Sequence, residues 1–348
     1  MPGQRFITRL SFLGGHTYGG IGQRSRVARM RLLVLGGTSF VGRAIVAEVL
    51  RRGAMVTLFS RGRTGSDLFP QAERCRGDRD AGDYASLARG SWDTVVDVSG
   101  YVPRHVQQAA EAVNGRADRY LFISTGSVYD VGRAPEVISE DAPRLAPVRD
   151  TEQVDGDTYG GLKVACEDDV LARWGDAATI VRPGIVAGPY DPTDRFTWWV
   201  RRAAQGGRVP LAGRPEQPVQ VVDAGDLARL VAAVVAGGVP GVFNAVGPAE
   251  PTTLGGLIET CARAAGAQVE VVAVPQDAVD PPLPLVLPGP TWDVMFRRDA
   301  SRARGAGLTA TPLMDTAAAV LAWDRGRGEP PLAVGLSPER EKALLEKG

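Results

Sequence analysis

Lysine is almost missing from this chain. Of its 40 basic residues three are lysine, Lys163, Lys342 and Lys347, and the last two lie in the terminal ten residues. Histidine is scarcer still: His16 and His105 are the whole supply, which argues against a histidine-rich metal centre or a histidine-based triad, and no metal site is expected. Cysteine, at Cys75, Cys166 and Cys261, is odd in number and scattered, so it offers no obvious disulfide or zinc framework and suits a reducing, cytoplasmic setting. No apolar run reaches the ~20 residues of a membrane span, and no membrane contact is expected. The 40 acidic residues balance the 40 basic ones, and a formal net charge of zero gives no electrostatic footprint for nucleic acid.

What remains is a globular composition, 44% hydrophobic and 23% charged over 348 residues, enough for a full core and a smaller second lobe. The first strong pattern begins at Met30. Arg31 to Leu35 reads as a short apolar strand, Val41, Ile45, Val49 and Leu50 recur at helical spacing until Gly53 stops them, and Met55 to Phe59 reads as a second strand. Between the first strand and the helix runs the turn Gly36, Gly37, Thr38, Ser39, Phe40, Val41, Gly42. Glycines permit a tight turn and let backbone amides approach a pyrophosphate at the positive helix N-terminus, and the position of this turn inside a strand, turn, helix, strand unit makes the reading specific. Further strands at Arg74 to Arg76, Thr94 to Val98, Tyr120 to Ser124 and Thr179 to Val181 alternate with helical or turn-rich segments. The alternation predicts an α/β fold, a Rossmann-type doubly wound parallel sheet, in which ligands bind beyond the carboxyl ends of the strands. Gly36, Ser60, Asp78, Ser99, Thr125 and Pro183 fall at such ends.

The one lysine in the body of the chain follows a tyrosine by four residues, in the run DTYGGLK. On a helix Tyr159 and Lys163 share one face a turn apart, so an ammonium beside the phenol would favour the phenolate and make a tuned acid/base; an exposed helix pair of no consequence has the same spacing.

With the glycine turn and this pair, the chain resembles the extended short-chain dehydrogenase/reductase family, the NAD-dependent epimerase/dehydratase group, from about Arg31 to Gly247. That family opens with Gly-x-x-Gly-x-x-Gly; Gly36 and Gly42 match its ends, and Ser39 replaces the middle glycine. The resemblance places the catalytic tyrosine and lysine on Tyr159 and Lys163 and the catalytic Ser/Thr on Thr125, four residues before the Tyr129 of a Val-Tyr pair. It implies hydride transfer to or from a carbonyl or secondary alcohol, with Thr125 positioning the oxygen, Tyr159 exchanging the proton, and Lys163 tuning the phenol and holding the nicotinamide ribose. It also implies cofactor contacts from Thr38, Phe40 and Val41, from Asp78 near the adenine, from Ser99 and Gly100 as close-approach positions, and from Pro183 where the chain leaves the sheet.

Cofactor choice turns on the end of the second strand. Ser60, Arg61, Gly62 and Arg63 supply no acid for a ribose 2′-hydroxyl, whereas two arginines suit a 2′-phosphate. NADP is favoured, with NAD the alternative, and a reductase is preferred to an epimerase. A nucleotide-sugar epimerase or dehydratase remains a second reading, although Gly126 and Ser127 stand where dehydratases carry acids. A third is a non-catalytic NAD(P)- or RNA-binding regulator, since plant chloroplast stem-loop-binding proteins resemble the sequence in the glycine turn. The expected partner is a small-molecule substrate, with a homodimer left open.

Residues 1–29 do not fit the domain and read as a disordered extension or a misplaced start codon; an arginine-rich, acid-free targeting segment is the alternative. Residues 30–185, rejoined by 218–247, are expected to form the NAD(P)-binding domain, and 186–217 with 248–348 the substrate lobe and tail. In the first lobe segment Trp198 and Trp199 either line a pocket or pack the lobe.

Overall fold

Strand β1 (Arg31–Leu35) is enclosed at every position after its first residue, and such a continuous apolar run is what a parallel sheet covered on both faces requires. It lies in a sheet of seven parallel strands in the order β11-β6-β5-β4-β1-β2-β3, where β2 is Met55–Ser60, β3 Glu73–Arg76, β4 Trp92–Asp97, β5 Ala117–Ile123, β6 Ala178–Pro183 and β11 Gly241–Ala245. The computed structural model from which this is taken describes residues 27–248 and 250–346. The chain leaves β1 toward β2 on one side and crosses back to β4 on the other, so the strand order reverses at the carboxyl end of β1, where a crevice opens.

Helices cover both faces. Helix α1 (Phe40–Arg51) buries Ile45, Val46 and Val49 against one face. On the opposite face α2 (Pro103–Ala112) and α3 (Tyr159–Trp174) bury Val106, Ala109, Cys166 and Val170 beside Phe59, Tyr120 and Phe122. Each large apolar side chain so enclosed contributes about 1.5–3 kcal/mol relative to exposure.

After β6 the chain enters a second lobe. Helix α4 (Arg195–Ala204) carries Trp198 and Trp199, whose rings meet edge to face at 4.4 Å between centroids inside the lobe core; the indole of Trp199 donates to the Pro284 carbonyl at 2.8 Å. The tryptophans therefore pack the lobe. Strand β7 (Ile185–Ala187) pairs with β10 (Val221–Asp223), and β8 (Gly207–Ala212) pairs in parallel with β13 (Val269–Val274). The short strand β9 (Pro218–Val219) pairs with β12 (Thr252–Thr253), and between these stretches α5 (Ala224–Gly237) returns to the α1 face of the sheet. Helices α6 (Leu254–Ala264) and α8 (Leu313–Gly326) complete the lobe core, with α9 (Pro338–Leu345) set against β8.

Two segments sit differently from the sequence expectation. Ala300, Ala303 and Leu308, around the short helix α7 (Ser301–Gly305), are buried in the sheet-side core although they fall within the stretch read as lobe and tail. Val27, inside the stretch read as a disordered extension, is fully enclosed in that same core, and the Arg29 amide donates to the Gly53 carbonyl at 3.1 Å. The rest of that extension, residues 1–26, lies outside the described residues.

Candidate active site

The turn after β1 is built for close approach. Gly36 adopts φ +90°, and a Cβ there would sit 2.7 Å from Ser99 Cβ. At Gly42 a Cβ would lie 2.0 Å from the Gly36 carbonyl oxygen, so the helix starts pressed onto its own turn. Ser39 fills the N-cap position of α1 in an extended conformation without a side-chain cap bond, and no acid occupies the first helical turn. The amides that open α1 are therefore free to meet an anion. Ser39 is accommodated at the family's middle glycine because its extended φ of −127° is one any residue adopts.

That turn opens into a cleft of about 810 Å³ lying along the carboxyl ends of the strands and closed by the second lobe. Gly36, Thr38, Ser39, Phe40, Val41, Gly42, Ser60, Arg61, Arg63, Asp78, Ser99, Thr125, Tyr159, Lys163 and Pro183 all line it. Gly100 is the exception among the expected residues: a side chain there would strike Phe122 Cε2 at 2.8 Å, so its small size serves packing behind the cleft wall.

At the centre of the cleft three elements meet. Thr125 follows β5, and its hydroxyl accepts from the Ser127 amide at 3.1 Å, which holds the turn that follows. Helix α3 begins at Tyr159, and Gly160 lies against this turn so tightly that a Cβ would be 2.5 Å from the Ser127 carbonyl oxygen. The close contact brings Tyr159 beside Thr125. Burial pushes the Tyr159 phenol above its ordinary pKa, and the Thr125 hydroxyl pulls it part of the way back. One turn along α3, Lys163 is enclosed, and its ammonium donates to the Gly100 and Ile123 carbonyls, each at 2.8 Å, 4.0 Å from the Phe122 ring centroid. Burial pushes the Lys163 pKa down to about 8, while Cys166, Asp97 and Glu167 oppose the fall. The expectation that the ammonium favours the phenolate is thus not met in this arrangement: the charge is committed to two backbone carbonyls, and the phenol is held neutral.

At the end of β2 the two arginines have acidic neighbours. Arg61 Nη1 is 3.4 Å from Asp80 Oδ2, and Arg63 Nη2 is 3.8 Å from Asp78 Oδ2; both arginine side chains are largely exposed. Asp78, expected near the adenine, also accepts from the Asp80 amide at 3.1 Å.

Two arginines of the cleft were not legible in the sequence. Arg79 is buried, bonds Asp97 at 2.6 and 2.9 Å and donates to Ser99 Oγ at 3.0 Å. Burial would raise the Asp97 pKa, but Arg79 and the hydroxyl of Tyr120 outweigh it and hold the carboxylate ionised. Arg298, which precedes α7, also lines the cleft. In a chain where arginine is the ordinary surface cation, no local pattern marks these two as interior.

The fold and its cleft define the class of dinucleotide-binding Rossmann proteins. Residues 32–246 match the NAD dependent epimerase/dehydratase family, and the chain belongs to that family of enzymes. Among curated proteins it is 28% identical over 275 residues to the dTDP-6-deoxy-L-talose 4-dehydrogenase (NAD(P)(+)) of Kitasatospora kifunensis, covering 71% of this chain and 83% of that protein. It is 26% identical over 261 residues to the chloroplast stem-loop binding protein of 41 kDa b of Arabidopsis thaliana, covering 70% of this chain and 65% of the plant protein's length. Solved structures with the same fold include UDP-glucuronic acid 4-epimerase from Bacillus cereus in complex with NAD, at 18% identity and a TM-score of 0.65 over 87% of this chain and 99% of that one. Another is UDP-glucose 4-epimerase from Thermotoga maritima with UDP-glucose, at 19% identity and a TM-score of 0.65 over 86% and 99%.

Proposed function

We propose that this protein is an NAD(P)-dependent oxidoreductase of the extended short-chain type, acting on a carbonyl or secondary alcohol of a small molecule. The observation that carries the reading is that Thr125, Tyr159 and Lys163, distant in sequence from the glycine turn, share one cleft with it. The cradle fits a dinucleotide: a Cβ at Gly36 would strike Ser99 and one at Gly42 the Gly36 carbonyl oxygen, so the glycines keep the turn tight, and the amides of α1, uncapped by Ser39, are left for a pyrophosphate. Gly36, Thr38, Ser39, Phe40, Val41 and Gly42 would hold the pyrophosphate, Asp78 and Ser99 the adenosine side, and Lys163 and Pro183 the nicotinamide side. Bound there, the cofactor supplies or accepts the hydride. A phenol kept protonated by burial can give its proton to the oxygen of a carbonyl being reduced, while the Thr125 hydroxyl holds that oxygen in line. The Lys163 ammonium, anchored by the Gly100 and Ile123 carbonyls, keeps a further N–H with which to orient the ribose.

NADP is the preferred cofactor. Arg61 and Arg63 are exposed and hold Asp80 and Asp78 only at the long end of ion-pair distance, so a 2′-phosphate offers both a stronger, charge-assisted partner. NADPH should bind several-fold more tightly than NADH in a fluorescence titration, and Arg61→Ala should weaken NADPH selectively; equal affinities, or equal losses for both cofactors, refute this preference. A nucleotide-sugar epimerase is the second reading, favoured by the solved neighbours. It is distinguished by a sugar nucleotide being interconverted without net consumption of added cofactor.

A further inference from the structure

Four arginines are buried among the described residues, Arg79, Arg182, Arg202 and Arg298. Arg79 has Asp97, Arg182 has Glu167 at 2.9 and 2.6 Å, and Arg202 has Glu341 at 2.6 Å. Arg298 has no carboxylate within ion-pair distance among the described residues. Its Nη2 donates to the Gly126 carbonyl at 3.1 Å, and its Nε, shut off from solvent, finds no acceptor. A buried cation with neither a counter-ion nor a full set of acceptors is costly. The backbone of Arg298 is held in place: the amide donates to Gln220 Oε1 at 2.8 Å and the carbonyl accepts from Gln220 Nε2 at 3.1 Å. Its guanidinium presses on the two residues that flank the chemistry. A Cβ at Gly126, next to Thr125, would stand 2.4 Å from Arg298 Cζ, and one at Gly184, next to Pro183, 3.3 Å from Nη1. Asp191 lines the same cleft but is occupied by the Thr193 amide and hydroxyl at 2.9 and 2.8 Å. Leu287, Met295 and Phe296 add apolar wall to a lining that also carries Ser127, Thr193 and Arg195, and partial burial strengthens a charge-assisted bond formed there.

We propose that Arg298 is the anchor for an anionic group on the substrate, a carboxylate or phosphate carried close to the carbon that reacts. The inference rests on reading the cleft as an oxidoreductase site and narrows its substrate to hydroxy or oxo compounds bearing such an anion. The group would meet the guanidinium where it lines the cleft and so fix which face of the reacting carbon meets Thr125 and Tyr159.

The test is calorimetric titration of the full-length protein, first with NADPH, then with malonate and with inorganic phosphate while NADPH is saturating, so that the dinucleotide's own phosphate sites are filled. One of the two anions should bind; preference for malonate assigns a carboxylate and preference for phosphate a phosphoryl group. Arg298→Gln should weaken the preferred anion about ten- to a hundredfold, the loss of a hydrogen-bonded charge, while Arg298→Lys retains most of it and NADPH affinity stays unchanged in both. Equal anion affinity in the wild type and Arg298→Gln, or no binding of either anion to the wild type, overturns the proposal. If Arg298→Gln does not fold, the wild type decides alone: the neutral diester dimethyl malonate should fail to displace the anion, and competition as strong as malonate's overturns the proposal. Absence of NADPH binding in the first titration sinks the oxidoreductase reading instead, and the anion comparison, repeated without NADPH, still reads Arg298.

Discussion

Tyr159 and Lys163 divide one task between a neutral phenol and a buried cation, and their separate environments give separate expectations. Tyr159→Phe removes only the hydroxyl, so cofactor affinity should stay close to that of the wild type while turnover falls by ~10²–10⁴, the usual loss for an acid/base; unchanged turnover would remove Tyr159 from the chemistry. Lys163 has its pKa pushed down by burial to about 8, below that of a free lysine, so it is mostly charged at neutral pH and loses its proton as pH rises through that value. Affinity for the anionic cofactor should therefore be highest below about pH 8 and decline above it, and Lys163→Met should bind more weakly with no decline across the same window. A wild-type affinity that is flat from pH 7 to about 9 would show that the ammonium does not face the cofactor. The spacing of this pair was readable because lysine is so rare in the chain. The direction of the ammonium was not, because it is set by carbonyls at Gly100, in the turn after β4, and Ile123, at the end of β5.

At the scale of elements, the glycine turn and α1 form a unit whose register depends on one missing side chain. Gly42→Ala would put a methyl group 2.0 Å from the Gly36 carbonyl oxygen, a backbone atom that cannot swing aside. The turn would have to open, at a cost of about 1–3 kcal/mol in stability, and NADPH affinity measured by fluorescence should drop more than tenfold. An alanine variant that binds normally would show that the amides of α1 do not cradle the dinucleotide. The strands that build this unit are the ones the sequence declares most clearly: β1 and β2 are apolar runs ended by glycine or serine, and their bounds match the expectation within a residue. Strand β5 starts three residues earlier than its apolar core suggests, at Ala117, because Asp118 and Arg119 sit at the solvent end where polarity is no obstacle to pairing. The lobe was hardest to read, since β8 and β13 pair in parallel although two helices and four strands separate them in the chain, and they carry little alternation of their own.

For the whole molecule, the boundary at Met30 is the clearest difference between pattern and packing. Pattern begins at the first strand, but Val27 is fully enclosed by the sheet-side core, so a chain beginning at Met30 should lose about 1.5–3 kcal/mol of stability and melt several degrees lower than one beginning at Val27. Identical melting curves for the two would show that the Val27 contact contributes nothing.

The tail carries the same lesson to the other end of the sequence. The core beneath the sheet draws Val27 from before β1, Leu227 and Val231 from α5, and Ala300, Ala303 and Leu308 from beyond most of the second lobe. A ribosome emitting this chain therefore finishes the nucleotide-binding half only after most of the second lobe has also emerged, and until residue 308 arrives that half keeps an open apolar seam along β11 and the α5 face. The two lobes are distinct as cores but interleaved in the order of synthesis, so neither can be excised as a fragment with its interior closed.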